Sequence, residues 1–135
     1  MPSGKGTYWA NAMLDEALGG TGYTPAATVY LGLYTVAPTA AAGDGTEVTG
    51  GSYARKAVTN NTTNWPAAAA GVKSNGVAQA FATATADWGT VVAATIMDAV
   101  SGGNKLYFGT LTTSKTVQNG DTAQFNIGAL QVTET

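Results

Sequence analysis

Apolar and polar positions alternate most clearly in residues 86–111, ADWGTVVAATIMDAVSGGNKLYFGTL. Residues 90–99 are rich in Val, Ile and Thr, side chains that suit a pleated surface. Ser101-Gly102-Gly103-Asn104 supplies residues that tolerate the positive φ of a tight turn. Residues 105–111 then return as a second strand. On the outgoing strand Val92, Ala94 and Ile96 share one face, and Val91, Ala93, Thr95 and Met97 share the other. Both faces are largely apolar, which predicts a central strand covered on both sides. On the return strand Leu106, Phe108 and Thr110 alternate with Tyr107, Gly109 and Leu111. Asp98 is placed to accept backbone N–H groups of the turn.

The rest of the chain arranges itself around this hairpin. Residues 1–6 are small and polar and read as a mobile arm. Thr7 can cap a helix over residues 8–18, with Trp9, Met13 and Ala17 at i, i+4, i+8 and Leu14 and Leu18 extending the face. Gly19-Gly20 stops it. Eleven residues are marginal for a free helix, so it needs a surface to lie on, either its own sheet or a neighbouring subunit. TVYLGLYTV, residues 28–36, is a strand with Val29, Leu31 and Leu33 on one face. Its other face, Tyr30-Gly32-Tyr34, suits either a ligand platform or a close backbone approach. Residues 37–51 form a long loop with a turn at Gly43-Asp44-Gly45. Residues 53–59 read as a strand packing through Tyr53, Ala54, Ala57 and Val58, and Glu47 and Arg55 can pair across the Gly-Gly turn. Residues 60–75 read as irregular, anchored by Trp65-Pro66. Further strands are expected over 77–85, 121–127 and 129–132, with Phe81, Phe125, Ile127, Leu130 and Val132 in the core. The whole predicts a mainly β fold, an antiparallel β-sandwich or barrel of jelly-roll type, with a short N-terminal helix. Residues 1–20 form the arm and helix, and residues 21–135 a single β domain.

Composition sharpens this picture. Leu, Ile, Val and Phe number only 23 of 135 residues, while the net charge is just −2. Self-repulsion therefore does not hold the chain open, and the expectation is a thin, alanine-rich fold that takes part of its burial from neighbouring subunits. Cysteine and histidine are absent, which removes disulfides and the commonest metal ligand and general base. The six basic residues are scattered, so no phosphate-binding footprint points to nucleic acid. No apolar run approaches the ~20 residues of a membrane helix. The first residues lack a secretory pattern, so the product is expected to stay where it is made unless host lysis releases it.

Candidate chemistry is sparse. The carboxylates are isolated apart from Asp15-Glu16, which falls on the solvent side of the helix, and no pair has glycosidase spacing. Serine without histidine excludes a Ser-His-Asp triad. Residues 43–47, GDGTE, are weakly like a calcium loop without its full pattern, and GTGYT at residues 20–24 lacks the lysine of a phosphate loop. These absences argue against an enzyme and imply no cofactor and no metal. Three tryptophans and six tyrosines remain. They either fill a core short of Leu and Ile or stack on sugars as in a carbohydrate-binding module, with Trp65 and Tyr34 as its test positions. Trp9 and Trp65 lie outside the expected main sheet and are candidate intersubunit contacts. Met13 and Leu14 on the helix, and Glu47, Tyr53 and Arg55 around the long loop, complete that set.

The runs YLGLYTVAPTAAAGDGTEVTGGSYARKAVT (residues 30–59) and FATATADWGTVVAATIMDAVSGGNKLYFGTLTTSKTVQNGDTAQFNIGAL (residues 81–130) carry a resemblance, together with the helix ending in Gly-Gly. The chain resembles small phage virion proteins commonly labelled phage tail fibre proteins, and is similar to small β proteins that serve as head decoration or cement proteins. The resemblance implies a non-enzymatic virion component present in many copies. A chain of this length without repeats leaves no room for a fibre shaft, which favours a compact decoration protein on the capsid. In that reading the helix and the long loop dock on the major capsid protein or on sister copies. The alternative places it on the tail, as a fibre or tip component.

Overall fold

The computed structural model describes residues 3–134. Its main sheet is antiparallel throughout and open at both edges, so of the two expected architectures the closed barrel is not formed. β7 (Gly89–Met97) lies at the centre, flanked by β2 (Thr28–Val36) and β8 (Lys105–Val117). β1 (Ser3–Lys5) adds to the far side of β8. The outer edge of β2 is divided: β4 (Lys56–Thr59) pairs with residues 28–31 and β3 (Thr46–Glu47) with residues 34–36. Two small antiparallel pairs close over one face. One joins β5 (Val72–Ser74) to β10 (Gln131–Thr133), the other β6 (Gln79–Ala80) to β9 (Gln124–Phe125).

The core lies between that face and the small pairs. Val29, Leu31, Leu33, Val58, Ala94 and Ile96 supply the sheet side, and Trp65, Phe81, Trp88, Leu130 and Val132 the opposite side. Phe81 is a core residue, as expected, and so is Trp88, against which Tyr53 packs edge-on at 5.3 Å. Asn75, 2% exposed, is the polar centre of the covering layer. Its amide donates to the carbonyls of Val77 and Asn126, and its side-chain oxygen accepts the Leu130 N–H. A buried side chain satisfied on all sides in this way fixes three irregular segments at once.

Along the β7–β8 pair strict alternation is broken in two places. Tyr107 pairs with Ile96 but Lys105 with Met97, so Leu106 is an extra residue. This bulge turns both Leu106 and Tyr107 to the core, and sends Lys105 to the far face with Phe108. Between Val91 and Ala93 the partner skips from Lys115 to Thr110. Val91 therefore joins Ala94 and Ile96 in the core instead of sharing a face with Ala93. Bulges are sequence-local insertions that a period-two pattern does not register.

Other expectations are corrected. Residues 3–5 of the expected mobile arm are a paired strand; Met1 and Pro2 lie outside the described residues. Thr7 is the first helical residue of α1 (Thr7–Ala17), and Gly6 is the cap, with no side-chain capping bond. A Cβ on Gly6 would stand 2.1 Å from the Lys105 carbonyl, so the chain enters the helix too close to β8 for any capping side chain. Residues 53–55 precede β4, and the expected strand over 77–85 contracts to β6. The region 60–75, read as irregular, contains β5. Its hairpin turn uses Ala70 and Gly71, both at positive φ, and alanine there hides the turn signal. Ile127, expected in the core, is 69% exposed because only Gln124–Phe125 of that run pairs. The Tyr30-Gly32-Tyr34 face is no open platform. A Cβ on Gly32 would meet Thr95 Oγ1 at 2.7 Å and Glu47 Oε2 at 3.2 Å, so side chains, not another backbone, crowd it.

Candidate functional site

The divided edge of β2 leaves Leu33 between β3 and β4. Its N–H donates to the Tyr53 hydroxyl at 2.9 Å, and its carbonyl accepts the Val48 N–H at 2.9 Å. The Tyr53 hydroxyl donates in turn to Glu47 Oε2 at 2.7 Å. Arg55 grips the same carboxylate with two prongs, Nε to Oε2 at 2.9 Å and Nη2 to Oε1 at 2.8 Å. Its Nη1 donates to the carbonyls of Ala99 and Gly102 at 2.9 and 2.8 Å, in the turn between β7 and β8. Asp98 closes the same turn by accepting the Asn104 N–H at 2.7 Å. The TEVTGGSYAR string thus acts as a clamp: it fills a gap in the sheet edge and holds the central hairpin's turn. Burial pushes the Glu47 carboxyl up, but Arg55 and Tyr53 together hold it below its ordinary value. Burial, then the Glu47 acceptor, drives the Tyr53 phenol far above the usual tyrosine range. A phenol held protonated at all ordinary pH acts as a fixed donor.

A second polar cluster pins the long loop. Lys105, 5% exposed, donates to the carbonyls of Thr39 and Ala41 and to Asp44 Oδ1, at 2.6, 2.8 and 2.7 Å. All three ammonium protons are used. Thr39 also donates to Asp44 through both its hydroxyl and its N–H. Lys105 and Thr39 hold the Asp44 carboxyl down at about 2. Nothing in the sequence announced this pair, whose members are 61 residues apart.

A different arrangement lies on the other side of β8. α1 rests there with no buried residue of its own. Trp9 packs on Tyr23 with ring centres 4.7 Å apart and edge-on to Tyr107 at 6.2 Å. These rings, with Trp65, Ile96 and Val132, line a half-open cleft of about 350 Å³ whose rim carries Lys73 and Glu134. Glu134 is engaged by Lys5 at 2.7 Å and accepts from the Tyr107 hydroxyl at 3.3 Å. Among the described residues the buried indole N–H groups of Trp9 and Trp65 find no well-formed hydrogen bond, although that of Trp9 approaches the Tyr107 hydroxyl.

The seven candidate contact residues thus sort into three places. Glu47, Tyr53 and Arg55 meet in the clamp. Trp9 and Trp65 share the cleft lining, Trp65 being 7% exposed within the chain's own core. Met13 is half-buried on α1, while Leu14 stands 59% exposed with Leu18 at 85% beside it. Tyr23, Tyr107 and Lys73, unselected from sequence, complete the cleft. Tyr107 reaches it only through the bulge at Leu106. Among the described residues no three acidic, cysteine or histidine side chains cluster as metal ligands, and no helix is long and apolar enough to cross a membrane.

An open antiparallel sheet, with Arg55 and Lys105 paired to Glu47 and Asp44 and to loop carbonyls, defines a small β protein whose buried polar chemistry is directed to holding its own loops. The family model described as "Podophage GP4 fiber I protein gp80" matches residues 4–133, and the chain belongs to that family. Its class is therefore that of phage fibre structural proteins. Among curated proteins, none matches the chain.

Proposed function

We propose that the chain is a non-enzymatic virion component that works as a compact module in a fibre assembly, attached through the α1 side of the molecule. The family match across residues 4–133 carries this reading. The division of the surface supports the choice of side. The clamp and the loop pin have their donors and acceptors satisfied internally, whereas the α1 side presents an open cleft and exposed Leu14 and Leu18. A second reading, decoration of the capsid shell, draws support from the compact arrangement of the described residues, among which neither shaft nor repeat occurs. Both readings use sister copies or a neighbouring virion protein as partner.

Cryo-EM of purified particles separates them by copy number and position. Density for this domain at the tail, in a few to a few dozen copies with α1 at the contact, is the expected result. Hundreds of copies spread over the shell would replace the fibre reading with decoration. Absence from particles would overturn both.

A further inference from the structure

We propose that the cleft beneath α1 is a binding site for an aromatic or branched aliphatic side chain with a carboxylate next to it, presented by a partner protein. The assignment holds whether the chain sits on a fibre or on the shell. Separate segments of the chain build the cleft, among them α1 through Trp9, the following link through Tyr23 and Pro25, the loop before β5 through Trp65, and the sheet through Ile96 and Tyr107. Its volume, about 350 Å³, falls within the range of ligand sites. The walls are almost wholly apolar, so water inside finds few partners, and an apolar group gains by displacing it. This lining does not suit a sugar, whose hydroxyls need several convergent polar groups.

The rim gives the occupant its charge. Of the two charged rim residues, Glu134 is neutralised by Lys5 and further engaged by Tyr107. Lys73 makes no ion pair or side-chain hydrogen bond among the described residues. A carboxylate attached to the buried apolar group meets this ammonium at the mouth, whereas a second cation there gains no such partner.

The test uses N-acetyl-L-phenylalanine and its neutral amide as probes of the intact chain, followed by residue-resolved NMR shifts. Expected are millimolar binding that perturbs Trp9, Trp65 and Tyr107 signals, and a preference for the acid of about two- to five-fold, the size of an exposed ion pair. Ala68→Trp, at an exposed position on the cleft wall, should block binding without touching the core. Lys73→Gln should bind acid and amide alike. Absence of binding up to about 20 mM, beyond the weak-affinity range, overturns the proposal. So does equal binding of acid and amide by the unaltered chain, binding that survives Ala68→Trp, or a matching response of the same residues to a neutral methyl glycoside.

Discussion

The clamp at Glu47–Arg55 and the cleft under α1 are both built from aromatic and charged side chains, yet they are finished to different degrees. In the clamp, the Tyr53 hydroxyl, the Glu47 carboxylate and all three guanidinium nitrogens of Arg55 are engaged within the chain. In the cleft, the Trp65 indole N–H has no hydrogen-bond partner among the described residues, about 350 Å³ stands open, and the helix above it has no side-chain cap. α1 also carries Asp15 and Glu16 in its last turn and no basic residue there, against the preference of the helix dipole. Glu16 compensates in part by accepting the Tyr23 N–H at 2.6 Å. The clamp is therefore a structural device, and the cleft side is the place where added contacts have most to offer.

Breaking the clamp should have the largest effect. Arg55→Ala strips the half-buried Glu47 of its counter-charge and leaves the Ala99 and Gly102 carbonyls without their donor. A loss of about 3 kcal/mol in unfolding free energy is expected by urea titration, the low end for breaking a buried pair because Glu47 is partly solvated. Tyr53→Phe keeps the ring against Trp88 but leaves the Leu33 N–H unpaired, for about 2 kcal/mol in the same measurement.

Acid titration sharpens the comparison further. The folded-state pKa values of Asp44 and Glu47 are both depressed from ordinary values of 3.8 and 4.5. The stability they contribute is thus fully present above those values and is lost as pH falls toward about 2 for Asp44. The urea midpoint should hold steady from neutral pH to about 5 and decline below it. In Glu47→Gln the decline should be shallower.

The smallest effect is expected on the cleft side. Leu14→Ser with Leu18→Ser removes apolar groups that are 59% and 85% exposed, and should change unfolding free energy by no more than about 0.5 kcal/mol. A large destabilisation in this variant would show that α1 is braced within the chain after all.

These differences also explain what was legible in the sequence. The central hairpin and β2 were, because long Val- and Thr-rich runs are fixed by their own periodicity. The Glu47–Arg55 pair was legible because its members are eight residues apart across a Gly-Gly turn. β5 was not, because Ala70 occupies a turn position where Asn or Gly would have signalled a hairpin. Lys105 was not, because its partners lie 61 to 66 residues away and a bulge decides which face it joins. The cleft was half legible. Trp9 and Trp65 stood out as aromatics beyond the main strands, but only tertiary packing brings Tyr23 and Tyr107 beside them.

The most direct test of this division of labour is residue-resolved hydrogen–deuterium exchange on the isolated chain and on the chain in assembled particles. The clamp segments, residues 47–55 and 98–105, should be slow to exchange and unchanged by assembly, while α1 and residues 21–26 should exchange quickly alone and become protected in the particle. Protection appearing instead at the clamp, with α1 exchanging at the same rate in both states, would contradict the account.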